Sequence, residues 1–348
     1  MFSIESGRHR ILAVGVVALV VAVMLSAQTA RSQTPIVKTT PAGTDVPVVL
    51  SGVVPSHLSG PTYHILRANT EVGKHTPLLF GPVTPSNTGA VASVTALAKL
   101  PKPGFYPADL SFFGGTVIQQ GNSLNVYYNC TDSSCFGDPE QFQTDLAKSR
   151  FIHVVDQYVG SKADNRYPLS TTPPLHINGS ATFFSAADIA NMAASAASSA
   201  GPGHIFHIFL PQGVDTCLDP ENTVCYSPDN PATFGFCAYH SATSVGDVDV
   251  FYTVIPYEGV PECMLPTPNP HGALIDTANS ALLHELFETI SDPVPGSGWV
   301  ADSSTFDTGL EMADICQGQY PSYVLVKGHT FQTQLVYSNF RHACVAAP

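Results

Sequence analysis

The chain has 348 residues, 44% of them hydrophobic. That is enough to bury the core of one large domain or two modest ones, and it excludes disorder throughout. The formal net charge is −13, so the surface repels nucleic acid.

The first 32 residues read as an export signal. "MFSIESGRHR" carries Arg8 and Arg10, "ILAVGVVALVVAVML" is an apolar run, and the small residues of "SAQTARSQ" follow, with a cut expected after Ser32. The competing reading is an uncleaved anchor, but the run is short for a span of about 20 residues. A secreted product without stable membrane insertion is therefore expected. Residues 1–32 hold Arg8, Arg10 and Arg31 against Glu5, so residues 33–348 carry −15 against −13 for the whole chain.

Residues 33–105 are rich in Pro, Thr, Ser and Val and lack helical periodicity, which predicts a linker, a pro-segment or a few edge strands. Denser organisation is expected over 106–348. In "GGTVIQQGNSLNVYYNC" two extended runs flank Gln-Gly-Asn, a hairpin pattern. Apolar spacing in "DPEQFQTDLAKSRFIHVVDQYVG" predicts one helix over 138–158. "FFSAADIANMAASAASSAGPG" offers a capping box at Ser185 and Asp188, an Ala-rich helix and a Gly-Pro-Gly stop.

"HIFHIFLPQ" then reads as a buried strand, and "DVDVFYTVIPY" as a second strand within the loop-heavy segment 211–270. A helix over 274–290 is closed by Asp292-Pro293. Alternating strands and helices with irregular loops predict an α/β or α+β domain.

Eight cysteines in an exported chain suggest up to four disulfides. Proximity favours Cys130 with Cys135, Cys217 with Cys225, Cys237 with Cys263 and Cys316 with Cys344, out of 105 pairings. A four-cysteine zinc site is disfavoured because no CxxC pair occurs.

The chemistry centres on His284-Glu285-Leu286-Phe287-Glu288, one residue away from the HExxH signature of zinc hydrolases. Residues four apart share a helix face, so His284 and Glu288 can grip one ion. Glu285 then stands where such enzymes keep the general base that acts on a water at the metal. A third ligand is required, and "GLEMADIC" offers Glu311 and Asp314, on one side of a short helix if helical. Glu311 is the first choice, with Asp314 orienting His284, and the two roles are exchangeable. Zn2+ is the expected ion, although two carboxylates also admit Mn2+, Fe2+ or Ca2+.

Chance patterns of His and Glu are common on exposed helices. Here Leu286, Phe287 and Ile290 indicate burial instead, and buried carboxylates are costly without a cation. His271 is an alternative ligand or donor but more plausible as an exposed loop residue; His204, His207 and Trp299 read as packing residues. No GxSxG supports a serine hydrolase, while Glu285 and Asp314 as a glycosidase carboxylate pair stay open.

The stretch "HELFETISDPVPGSGWVADSSTFDTGLEMADICQG" resembles the EXORDIUM-like, or phosphate-induced, protein family, in which an HExxE helix leads through a turn to an E-I/M-A-D segment. "GGTVIQQGNSLNVYYNC", "IFLPQGVDTC" and "GFCAYHSA" extend the resemblance over about 106–345. It implies an extracellular or wall-associated protein with a zincin-like, metallopeptidase-type domain, a mixed sheet and disulfide-bonded loops. Its candidate site residues are His284, Glu285, Glu288, Glu311 and Asp314.

Two functions compete: a metal-dependent hydrolase acting on protein, peptide or cell-wall material, and a non-catalytic binding or signalling protein with a structural ion. A groove with an open coordination position favours the first, a closed four-ligand site the second. A metal-free carbohydrate hydrolase is the weakest reading.

Overall fold

The computed structural model describes residues 36–39, 45–48, 63–67, 79–80, 109–130, 135–160, 167–301, 310–326 and 328–348. The export signal, its cut site and most of the Pro/Thr-rich extension lie outside the described residues.

Seven strands form a mixed sheet: β1 (Tyr63–Arg67), β2 (Leu79–Phe80), β3 (Asn122–Tyr128), β4 (Leu175–Ile177), β5 (His204–Phe209), β6 (Phe236–Val245) and β7 (Val248–Ile255). Their order is β2-β1-β6-β7-β5-β3-β4. The β2, β1, β6 and β7 ladders are antiparallel, while β7-β5, β5-β3 and β3-β4 are parallel. The expected mixed α/β class with disulfide-bonded loops is present, although the sheet begins upstream of residue 106. The strand β1 lies inside it, against β6. Its three β-enriched residues Tyr63, Ile65 and Leu66 are too short a run to stand out beside Pro-rich sequence.

Helix α1 (Pro139–Lys148) is capped by Asp138, whose side chain accepts from Gln141 N, with proline in its first turn. The single helix expected over 138–158 breaks there. The Ser149 hydroxyl donates to Leu146 O at 2.8 Å and accepts from Phe151 N at 3.1 Å, diverting backbone groups that a continuing helix would use. A 3-10 turn (Phe151–Val155) and one helical turn (Asp156–Val159) follow.

The Gln-Gly-Asn hairpin is also corrected. Only the second run becomes a strand, β3, held between the parallel strands β5 and β4. The first run lies along another part of the molecule, with Gly115 N donating to Ser297 O at 2.7 Å and Ile118 N to Ile290 O at 2.9 Å. Glycine at 115 permits that approach, because a Cβ there would stand 2.5 Å from the Ser297 carbonyl oxygen.

Helix α2 (Ala186–Ala200) has the predicted capping box, Ser185 and Asp188 bonding reciprocally. It covers one face of the sheet with Tyr63, Ile65, Phe206, Ile208, Tyr239 and Val254. Helix α3 (Ala273–Ser291) packs across the other face. Every residue of α3 from Asp276 to Ser291 is buried, so it is a core helix surrounded on all sides. Strand alternation then settles which side chains meet it: Tyr63 and Tyr239 face α2, and the intervening His64 and His240 point to the α3 face.

The four disulfides are Cys130–Cys135, Cys217–Cys225, Cys237–Cys263 and Cys316–Cys344, the pairs favoured by proximity. Among the described residues no helix is long and apolar enough to cross a membrane.

Candidate metal centre

Helix α3 delivers His284 and Glu288 from successive turns, with His284 Nε2 3.1 Å from Glu288 Oε1. The chain returns after α3 through a tight turn in which Asp292 accepts from Gly296 N, Ser297 N and Gly298 N at 2.6, 3.1 and 2.6 Å. It then adds an edge strand (Trp299–Ala301) and reaches Glu311. The predicted short helix there is a turn leading into a 3-10 segment (Asp314–Cys316). Asp314 Oδ2 accepts from Glu311 N at 2.9 Å, and Asp314 N donates to Glu288 Oε1 at 3.2 Å. That competing side-chain bond folds the segment back on itself and turns the two carboxylates to different neighbours.

Asp314 Oδ1 faces His284 Nε2 at 3.5 Å. Glu311 Oε1 faces two residues that pattern reading did not select, His64 Nδ1 at 3.6 Å and His240 Nε2 at 3.8 Å. These histidines stand opposite one another in the β1–β6 ladder. His64 Nδ1 is 3.0 Å from Glu288 Oε2 and its Nε2 2.9 Å from Asp314 Oδ2. Their sequence signal is a Tyr-His pair in each strand, "TYHI" and "AYHS": alternation requires one of the two to face α3.

Two donor groups result, one of His284, Glu288 and Asp314 and one of His64, His240, Glu288 and Glu311. A third grouping, Cys237, Glu258 and Cys263, offers no thiolate because its cysteines are joined to each other. Glu285 belongs to neither group. Its Oε2 lies 3.1 Å from His240 Nδ1, an arrangement that orients the ring.

His284 is held in a metal-ready tautomer. The Gln334 amide nitrogen donates to Ala313 O and Leu335 O, so its oxygen faces His284 Nδ1 at 3.0 Å. Nδ1 is therefore the donor to Gln334, and Nε2 is the nitrogen whose proton a metal ion would displace. His240 is different: Nδ1 meets Glu285 Oε2 and Nε2 meets the Asp292 carbonyl at 3.1 Å. It must release one of these partners to act as a ligand.

Burial governs the electrostatics. His64, His240, His284, Glu285, Glu288 and Glu311 are 0% exposed and Asp314 8%, and their ion-pair partners among the described residues are only histidines. Desolvation raises the pKa of Glu311 well above the carboxylate range and raises that of Glu285. For His64 and His284 desolvation opposes the charge, but the surrounding carboxylates win and raise both well above the imidazole value. Glu288 is also desolvated, yet His284 and His64 together hold its pKa far below the usual range.

Several buried atoms have no hydrogen-bond partner: His64 Nε2, His284 Nε2, Glu285 Oε1 and both Glu311 oxygens. Close approaches such as His284 Nε2 to Glu288 Oε1 are therefore not in hydrogen-bonding alignment. Once their protons are displaced, converging nitrogen and oxygen atoms of this kind are the donor set a divalent cation uses. Metal-binding capacity is thus present in the fold.

The other histidines lie elsewhere. His271 bonds Asp276 at 2.9 Å and stacks on Phe331. His207 bonds Thr253 at 2.8 Å, and His204 packs against Phe206. Trp299 is buried and donates to Tyr158 O at 2.8 Å, as a core residue does. Comparison with known proteins gives no match: no family model fits the chain, and no curated protein or solved structure is significantly similar to it.

Proposed function

We propose that this protein is an exported, metal-dependent hydrolase of the zinc-peptidase type, related to the EXORDIUM-like proteins and with its ion on the HELFE helix. The observation that carries the reading is the set of unpartnered nitrogen and oxygen atoms on His284, Glu285 and Glu311 within a buried acidic cluster. His284 Nε2, Glu288 Oε1 and Asp314 Oδ1 converge as three donors, and a catalytic zinc would carry a water in the fourth position. Zn2+ there supplies Lewis acidity.

This protein's own residues do the rest. Gln334 fixes the His284 tautomer. Glu285, with one oxygen on His240 and the other unpartnered, is the proton acceptor, its raised pKa suiting that role. Four disulfides and the Arg8/Arg10-led apolar N-terminus support export.

A second reading, a binding or signalling protein pinned by a structural ion, is favoured by the complete burial of six of the seven residues and by the four-donor group around His64. The experiment is metal analysis of natively purified protein paired with Glu285→Gln and peptide hydrolysis. Metal retained with hydrolysis abolished supports the hydrolase. Metal retained with no hydrolysis by the unmodified protein favours the structural ion. A metal-free protein that also refuses zinc on reconstitution sinks both.

A further inference from the structure

Glu288 presents its two oxygens to different donor groups. Oε1 lies 3.1 Å from His284 Nε2, and Oε2 lies 3.0 Å from His64 Nδ1 and 3.8 Å from His240 Nδ1. Asp314 divides in the same way, Oδ1 facing His284 at 3.5 Å and Oδ2 facing His64 Nε2 at 2.9 Å. A carboxylate split between two imidazoles from different elements is the geometry of a bridging ligand, and paired metal sites of this kind hold ions roughly 3.5–4 Å apart.

We propose that the cluster is a two-cation centre bridged by Glu288, in which a second divalent ion is bound by His64, Glu311 and Glu288, with His240 beside it. The inference rests on the metal-binding reading and goes beyond the single ion of the HELFE helix.

Charge supports it independently. Glu285, Glu288, Glu311 and Asp314 are four carboxylates in one buried region with only histidines as ion-pair partners among the described residues. One divalent ion leaves two negative charges uncompensated when the histidines are neutral, and two ions neutralise the set. Uncompensated buried charge is the costlier state. The unpartnered atoms also fall on both sides of Glu288: His284 Nε2 on one and both Glu311 oxygens on the other. A single ion at His284 leaves the Glu311 oxygens without a partner.

The two ions differ in donor number. Both groups are buried, the His284 group with three donors and the His64 group with up to four. The second ion therefore ties β1, at the antiparallel side of the sheet, to α3 and the Glu311 turn.

The test is metal stoichiometry on residues 33–348, purified natively, stripped with chelator and reloaded with Zn2+, then with Mn2+ for electron paramagnetic resonance. Two ions per chain and an exchange-coupled Mn2+ spectrum are expected. His64→Gln and His284→Gln should each retain one ion and lose the coupling. One ion per chain with an isolated Mn2+ signal in the unmodified protein overturns the two-cation centre and leaves the single-metal reading standing. No bound ion overturns both. The unmodified protein decides the matter even where a variant fails to fold.

Discussion

Replacing Asp292 by Ala isolates the turn that brings the Glu311 segment back to α3. The Asp292 carboxylate is fully buried and accepts three backbone N–H groups, from Gly296, Ser297 and Gly298. Burial still raises its pKa, outweighing those bonds and the nearby His240, so the charge itself is not the source of stability. What Ala removes is the acceptor geometry: three bonds are lost, and Ser297 N alone keeps a second acceptor, Val294 O. At about 1 kcal/mol per lost hydrogen bond, the loss is about 3 kcal/mol.

An unfolding entropy of about 2.1 cal/mol/K per residue gives about 0.6 kcal/mol/K for a unit of about 300 residues, so the midpoint should fall by about 5 °C. Calorimetry of the chelated protein measures this without the metal contribution. The same turn supplies the carbonyl that meets His240 Nε2, so metal affinity should also fall, by about tenfold or more as for other groups that orient ligands. A midpoint within 1 °C of the unmodified protein, or unchanged affinity, refutes the claim that this turn organises the site.

His207, which belongs to neither donor group, gives a pH prediction. Burial lowers its pKa to about 3 from 6.5. Over that window the unfolded chain binds a proton that the fold does not, so stability falls as pH drops from 6.5 towards 3, by about 2 kcal/mol at pH 5. His207→Gln should flatten this limb in acid denaturation, and parallel limbs contradict the assignment. Metal linkage is the next test: each tenfold increase in free Zn2+ above its Kd should add about 1.4 kcal/mol per bound ion to stability, and an unchanged thermal midpoint with and without chelator contradicts it. The raised pKa values of Glu311, His64 and His284 mean that metal binding displaces protons, so affinity measured by competition should weaken as pH falls; a pH-independent affinity opposes ligation by these groups.

The readability of the site from sequence followed the locality of its parts. His284 and Glu288 are fixed by helical spacing alone, and the run from 274 to 290 matches Ala273–Ser291 to within one residue at each end. The capping box at Ser185 and Asp188 is equally local. Glu311 and Asp314 were visible as residues, yet their separation onto different imidazoles depends on the Asp314 bond to Glu311 N, which no spacing rule supplies.

His64 and His240 were invisible for a different reason. They meet through the pairing of β1 with β6, 176 positions apart in the ladder register. A single histidine in a strand carries no periodic signal. The hairpin around Gln-Gly-Asn failed similarly, since the buried run Val117–Ile118 found its partner on α3 rather than on the adjacent strand.

The most direct test of the central claim is zinc K-edge X-ray absorption on the natively purified protein. The account predicts a first shell of nitrogen and oxygen at about 2.0–2.2 Å, with imidazole scattering and no sulfur. An absent edge after zinc reconstitution, or sulfur at about 2.3 Å, would contradict a His and carboxylate centre built on His284 and Glu288.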